Sequence, residues 1–367
     1  MSENSARGVA FVVESTYGTE RLGLQILAAI TEEEDFDVWL YRLDSIDEAE
    51  LIRQMEKTKP DIIAYSAMTY EHNALHSLNK KLKSGLGFIS IFGGPHYTFN
   101  PEEIHAHEQI DIVCVGEGER AFRAFLRCVK KGEDYSSISN LSVRCGNSVK
   151  KNPVAPLIDN LDEVPFANRR IVPLDEKGHR HLGRTRAMMI GRGCPYQCTY
   201  CFNASYNQIY GRNSRRVVRW RSVGNVISEM VAIKNASTID YLSIDDDAIN
   251  LLPNDYIYEF CERYKREVSI PFSAQFRANL IDEGIVKALN DAGMQWANCG
   301  IETGDEFVAN NLLKRRLTSQ QIINTFRIFD KYGIKSFSQN MIGLPVEDPV
   351  GDALKTIALN IKAKVRY

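Results

Sequence analysis

The chain has 367 residues, 44% of them hydrophobic and 25% charged, with 45 Lys and Arg against 47 Asp and Glu for a formal net charge of -2. That balance excludes a chain dominated by nucleic-acid contacts, and no apolar run is long enough to span a bilayer. The length exceeds what one ordinary core fills, so two domains are expected. The polar start Met1-Ser2-Glu3-Asn4-Ser5 is not a signal peptide, and the expected location is the cytoplasm.

Residues 9–13 form a short apolar run, 20–33 carry Leu22, Ile26, Leu27 and Ile30 at helical spacing, and 38–43 are apolar again. Strand, helix, strand is the reading. It continues through 61–66, a helix over 71–83, then 88–94 and 111–116. Five continuous apolar strands imply a parallel sheet buried on both faces, doubly wound in the flavodoxin-like order 2-1-3-4-5, whose ligands sit beyond the carboxyl ends of the strands. Those ends carry Glu14 to Gly18, Ser66 to Tyr70, Gly93-Gly94-Pro95-His96-Tyr97 and Gly116-Glu117-Gly118-Glu119. Glycine there permits close backbone approach. His96 is expected to make a loop contact rather than to ligate metal, and His72, His76, His105 and His107 to be solvated. Residues 139–149 alternate around Cys145-Gly146-Asn147, a hairpin signal.

Pro153, Pro156, Pro165 and Pro173 then mark a semi-rigid connector, which gives domains at 1–150 and 184–367 with a linker over 151–183. In the second domain strands are expected at 186–191, 241–244, 272–277, 295–301 and 335–342. Helices are expected near 223–234, 254–266, 282–290, 319–332 and 349–362, with Ser222 and Thr318 or Ser319 as N-caps. Residues 362–367 read as the start of a sixth strand, so the barrel is expected to be partial. Arg212, Arg215, Arg216, Arg219 and Arg221 form a basic run beside Trp220, for which a structural or cofactor-facing role outweighs nucleic-acid binding.

The first of these strands leads into Gly191-Arg192-Gly193-Cys194-Pro195-Tyr196-Gln197-Cys198-Thr199-Tyr200-Cys201. Three thiols in eight residues point to one soft metal centre, and three sulfurs on a four-iron, four-sulfur (4Fe-4S) cluster leave one iron open. A closed zinc site needs a fourth ligand, for which His179 and His181 are the nearby source. Cys114, Cys128, Cys145, Cys261 and Cys299 are scattered and read as buried free thiols of a reducing compartment.

Cys194, Cys198, Tyr200 and Cys201 match C-x-x-x-C-x-aromatic-C, and the region resembles the radical S-adenosylmethionine (SAM) superfamily. The resemblance implies that the open iron chelates S-adenosylmethionine and that an electron from the cluster releases a 5'-deoxyadenosyl radical. It further implies S-adenosylmethionine contacts from Tyr200, Phe202, Asp246, Arg277, Glu302, Thr303 and Gly343, since Asp245-Asp246-Asp247, Gly300 to Gly304 and Gly343-Leu344-Pro345 follow in the family's order. A divalent-metal site at Asp245 to Asp247 is the alternative for that acidic run. The first half, with Gly-Gly-Pro-His and Val-Gly-Glu-Gly-Glu, resembles the cobalamin-binding domain that precedes many radical SAM barrels. That likeness implies cobalamin contacts from Thr16, Tyr17, Ser66, Thr69, Gly93, Gly94, His96, Gly116 and Glu117. The D-x-H-x-x-G motif that brings a histidine to cobalt elsewhere is absent, because residues 14–23 contain no histidine.

The implied fold class is α/β: a flavodoxin-like doubly wound parallel sheet followed by a partial (β/α)6 radical SAM barrel. The implied activity is methyl transfer to an unactivated carbon of a small-molecule or peptide substrate, with an external electron donor such as flavodoxin or ferredoxin. Oxidative cyclisation or rearrangement is the enzymatic alternative, and a non-catalytic fragment or assembly partner the alternative of another class. A methylthiotransferase reading would need cysteines at strand ends of the first half, where Cys114, Cys128 and Cys145 do not fall.

Overall fold

The structure is a computed structural model that describes residues 7–15, 20–172, 184–211 and 217–366. It divides into two compact units: Met1–Ile158 with Glu163–His179 and Gln208–Ser214, and Asp159–Asp162 with Arg180–Asn207 and Arg215–Tyr367. Thr16, Tyr17, His179, His181, Arg212, Arg215 and Arg216 lie outside the described residues.

The first unit alternates β1 (Gly8–Val13), α1 (Leu22–Glu33), β2 (Asp37–Arg42), α2 (Glu48–Thr58), β3 (Ile62–Ser66), α3 (His72–Lys83) and β4 (Ile89–Gly93). It continues with α4 (Pro95–Phe99), α5 (Glu103–Ala106), β5 (Ile112–Cys114), α6 (Glu119–Lys131), β6 (Leu141–Cys145) and β7 (Ser148–Lys151). The sheet order is β2-β1-β3-β4-β5-β6-β7, parallel through β5, with the β6–β7 hairpin added antiparallel. All six residues of β1 are buried, as a strand covered on both faces requires. Two cores result. One, around Phe11, Phe122 and Phe125, lies beneath α1 and α6; the other, around Tyr65, Phe92 and Tyr97, lies beneath α2 and α3.

Several local expectations change. Residues 48–58 form a helix whose N-cap Asp47 accepts from the Ala49 amide, and the Gly-Pro segment after β4 turns into the short α4 rather than a loop. His76 is buried, not solvated, because α3 turns it onto Tyr97, whose hydroxyl lies 2.6 Å from its Nε2. Cys145 is exposed at the hairpin and Cys128 half-buried, so only Cys114, Cys261 and Cys299 of the scattered cysteines are buried thiols.

The second unit contains β8 (Thr185–Met188), β9 (Gly191–Arg192), α7 (Phe202–Ile209), β10 (Arg219–Trp220), α8 (Val223–Ala236), β11 (Tyr241–Ile244) and α9 (Asn254–Glu267). After these come β12 (Phe272–Phe276), α10 (Glu283–Asp291), β13 (Met294–Glu302), α11 (Glu306–Asn311), α12 (Ser319–Lys331), β14 (Lys335–Asn340) and α13 (Pro349–Ala363). Its main sheet is five-stranded and parallel, in the order β14-β13-β12-β11-β8, over one continuous apolar core. Ser222 caps α8 through the Asn225 amide. Thr318 caps α12 in a reciprocal capping box with Gln321. The expected sixth strand does not form among the described residues. Helix α13 runs to Ala363 and ends at Lys364 in the left-handed conformation, so residues 362–363 are helical.

Among the described residues, no helix is long and apolar enough to cross a membrane.

Candidate functional site

The cysteine loop begins where β8 ends. Both oxygens of the buried Asp246 accept backbone hydrogens from this segment, Ile190 N at 2.7 Å and Gly191 N at 2.9 Å. Burial pushes the Asp246 carboxyl up to about 7, against the two amide bonds that favour its charged form. Its neighbour Asp247 accepts from Gly193 N at 3.1 Å and from Asn203 Nδ2 at 2.5 Å. On the other side β9 pairs antiparallel with β10. The loop is thus threaded between a strand and two carboxylates, and glycine is required there. Gly193 has φ +94°, and a Cβ on it would lie 2.1 Å from the Val217 carbonyl oxygen.

The far side of the loop is anchored at 312–313, where Thr199 donates its hydroxyl hydrogen to the Leu312 carbonyl at 2.8 Å and its amide to Leu313 at 3.2 Å. Asn207 Nδ2 donates to the Cys194 carbonyl at 2.9 Å. Cys198 is buried and Cys194 and Cys201 half-buried; burial raises the Cys194 thiol to about 11. Two donors face the sulfurs: Arg277 Nη1 lies 3.7 Å from Cys198 Sγ and Asn203 Nδ2 3.7 Å from Cys201 Sγ.

The donor set fits an iron-sulfur cluster: three thiols in one loop, with N–H donors aimed at two of the sulfurs, are the kind of arrangement that holds and tunes a cluster.

Beyond the sulfurs lies a layer of buried charge. The Arg277 guanidinium stacks 3.4 Å over the Tyr196 ring and also donates to the Arg315 carbonyl. The Arg277 backbone is clamped by Asn250, which accepts from its N–H at 3.0 Å and donates to its carbonyl at 2.9 Å. Glu302, at φ +67°, pairs with Arg315 at 3.0 Å, and Arg315 also donates to the Tyr200 hydroxyl and to the Gly300 carbonyl. Burial raises the Glu302 carboxyl, and Arg315 offsets only part of that. Thr303 is buried and donates to Asp352 at 2.6 Å, so its hydroxyl is committed to α13. Gly343 sits at φ +79° in an exposed loop, and Phe202 is 56% exposed at the start of α7.

The structure therefore brings Tyr200, Arg277 and Glu302 to the cysteine loop, whereas Asp246 braces the loop's backbone and Thr303 braces α13. Sequence reading missed Arg315, Asn203, Tyr196 and Asn250. Arg315 gave no local signal: it is the middle residue of Lys314-Arg315-Arg316, and it turns inward because both neighbours take left-handed φ of 56°.

In the first unit, the strand ends expected to meet cobalamin come together as a backbone surface. Ala67 N donates to the Gly93 carbonyl and His96 N to the Ala67 carbonyl, each at 3.1 Å. At Gly94, φ +91°, a Cβ would lie 2.9 Å from Ala67 N and 3.1 Å from Ser66 Oγ. Gly116 N donates to Thr98 Oγ1 at 3.1 Å. Arg21 ties the loop after β1 to the one after β3 by donating to the Ser15 carbonyl and pairing with the fully buried Glu71. Exposed Met68, Thr69 and Tyr70 make a partly apolar rim at the end of β3, and among the described residues Glu14 Oε2 is buried with no hydrogen-bond partner; glycine backbone, apolar rim and this acceptor suit a large, flat, amide-fringed ligand. Glu117 is otherwise engaged, accepting from Ile158 N at 2.9 Å, and the His96 imidazole is 4% exposed and faces inward.

Residues 8–126 match the family model described as B12 binding domain, and residues 188–357 the one described as Radical SAM superfamily. The protein named Uncharacterized methyltransferase PH0819, from Pyrococcus horikoshii, is 29% identical over 335 residues, which cover 89% of this chain and 70% of that protein. An anaerobic magnesium-protoporphyrin IX monomethyl ester cyclase from Rubrivivax gelatinosus is 22% identical, with 83% of this chain and 55% of that protein covered. The solved structure of the radical S-adenosylmethionine methyltransferase TsrM, from Kitasatospora setae, superimposes with a TM-score of 0.77 at 16% identity, covering 97% of this chain and 72% of that one. With a B12-binding unit followed by a three-thiol radical SAM unit in one chain, the protein belongs to the cobalamin-binding radical SAM enzymes.

Proposed function

We propose that the chain transfers a methyl group to an unactivated carbon, with a 4Fe-4S cluster on Cys194, Cys198 and Cys201, S-adenosylmethionine on the open iron, and cobalamin on the first unit. The observation that carries the reading is the trio of thiols at the end of β8, with N–H donors on two of the sulfurs, in a chain that also holds a B12-binding domain. The chemistry supplied by the bound groups is radical generation at S-adenosylmethionine and methyl delivery from cobalt. The chain's own residues hold and dry the site: Tyr200, Arg277 and the Glu302–Arg315 pair stand beside the cluster loop for S-adenosylmethionine, Phe202 offers an apolar edge, and Gly343 a loop without a side chain. Ser66, Thr69, Gly93, Gly94 and Gly116 offer cobalamin backbone and small polar groups, and Thr16 and Tyr17, outside the described residues, are assigned to cobalamin from the sequence. The domain boundaries carried forward are 1–150, 151–183 and 184–367.

The methyltransferase name on the Pyrococcus horikoshii relative favours this reading, and the Rubrivivax gelatinosus relative supports oxidative cyclisation as the second one. A low-potential donor such as flavodoxin or ferredoxin would reduce the cluster, and a reducing cytoplasm suits it. The test is anaerobic reconstitution with iron, sulfide, cobalamin and S-adenosylmethionine under a chemical reductant. Equal amounts of 5'-deoxyadenosine and S-adenosylhomocysteine per product mean methyl transfer. Deoxyadenosine without S-adenosylhomocysteine means the cyclase reading. No deoxyadenosine from an iron-loaded sample removes both.

A further inference from the structure

Four histidines and one glutamate converge in the first unit on α3, α4 and the α5 end, a cluster of which only His96 was expected at cobalamin. Two triads lie with their ligand atoms mutually within 4.8 Å: His72, His96 and Glu103, and His76, Glu103 and His107. His72 Nδ1 faces the Thr69 carbonyl, which can only accept, so Nδ1 carries the proton and Nε2 is left as the donor atom for a metal. His96 Nδ1 lies 3.3 Å from Thr69 Oγ1 and 3.5 Å from Asn100 Nδ2, and among the described residues His96 Nε2 is buried with no hydrogen-bond partner, 3.8 Å from Glu103 Oε1. The second carboxylate oxygen is held by His107 Nε2 at 3.1 Å, which orients Glu103 and leaves Oε1 free.

The rings are packed as one unit. The His72 and His96 rings stack with centroids 4.2 Å apart and the His76 and His107 rings lie 3.9 Å apart, so the imidazoles are held together by contacts among themselves.

We propose that His72 Nε2, His96 Nε2 and Glu103 Oε1 bind one divalent cation of borderline softness, Zn2+ in the first place, with a fourth position for water. His107 and the Thr69 carbonyl are positioning groups. The ion clips the first turn of α3 to α4 and α5, just beyond the carboxyl ends of β3 and β4. The Ser66–Thr69 and Gly93–Gly94 loops are thereby held by a bond network that does not depend on the cysteine cluster or on cobalamin.

The test uses the full chain with its iron-sulfur cluster loaded, so that the cysteines are occupied. The protein is equilibrated with Zn2+, desalted, and analysed for iron and zinc separately, with and without cobalamin. The expected result is about one zinc per chain beyond the cluster iron. His72→Gln and Glu103→Gln should each weaken zinc binding at least tenfold, as metal-site changes do. His105→Gln, on an exposed neighbour, should leave it unchanged. Circular dichroism confirms that the variants are folded, and a calorimetric Zn2+ titration of the unaltered protein gives a reading independent of them. No zinc uptake by the unaltered protein overturns the proposal, as does equal zinc in His72→Gln, Glu103→Gln and the unaltered chain. Zinc uptake without deoxyadenosine formation would leave this proposal standing while the catalytic reading fell.

Discussion

Asp246 accepts the Gly191 amide hydrogen at 2.9 Å, a bond from the end of β11 to the first residue of the cluster-loop turn. Its other oxygen takes the Ile190 amide, so a single buried carboxylate sets the direction in which the loop leaves β8. The acidic run after β11 therefore acts on the loop's backbone, and the thiols inherit their positions from it.

Replacing Asp246 by Ala leaves two buried amides without a partner, a loss of about 1–3 kcal/mol for each. The expected outcome is an unfolding midpoint shifted down in urea and less iron retained after reconstitution, with all three cysteines intact.

The raised Asp246 carboxyl also has a pH signature. A carboxyl at 3.8 when unfolded and about 7 when folded binds more protons in the native state between those values. Its contribution is complete below about 3.8 and is lost as pH rises through about 7. Asp246→Asn cannot titrate, so the stability difference between the unaltered protein and Asp246→Asn should shrink from pH 5 to pH 8. Urea denaturation at both values checks the sign.

Arg277 brings a positive guanidinium within 3.7 Å of Cys198 Sγ. Positive charge favours the more negative, reduced cluster, so Arg277→Met should move the cluster potential to more negative values. A tenfold change in the reduction equilibrium is about 59 mV for one electron. A redox titration followed by electron paramagnetic resonance reads the shift, and Arg277→Lys should restore part of it.

Arg315 and Glu302 form a buried pair, with side chains 6% and 10% exposed. Removing one member leaves an uncompensated buried charge, and Arg315→Met should cost roughly 3–5 kcal/mol. Arg315→Met with Glu302→Gln should recover a large part of that loss. Chemical denaturation of the two single variants and the double variant gives the coupling.

Gly193→Ala tests the threading of the loop. The left-handed φ and the 2.1 Å approach to the Val217 carbonyl leave a methyl group no room, and the blocking atom is backbone that cannot swing aside. Iron content should fall to less than half of the unaltered protein's, whereas Gly146→Ala, at an open hairpin turn, should keep it.

Much of this architecture was legible because parallel strands are buried on both faces. Runs such as Val9 to Val13 and Ile62 to Tyr65 have no polar face to show and stand out against amphipathic helices. The three cysteines stood out because three thiols in eight residues form a spacing pattern that is visible in the sequence alone. Arg315 was not, since its inward turn comes from left-handed backbone at Lys314 and Arg316, a conformation that nothing in a lysine or arginine announces. His76 was misjudged for a related reason. Imidazole reads equally well as surface or core, and only the packing of α3 against α4 and Tyr97 decides.

By itself the amino-acid order determined the strand-and-helix alternation of both units and the thiol triad, because hydrophobic period and ligand spacing are local properties of the chain. The tertiary structure decided what each polar strand-end residue does. Asp246 could have faced a ligand or the backbone, Thr303 a cofactor or Asp352, and Glu302 solvent or Arg315. Each outcome depends on which donor or acceptor arrives from a distant segment, since a buried polar atom must be satisfied by whatever the fold places beside it.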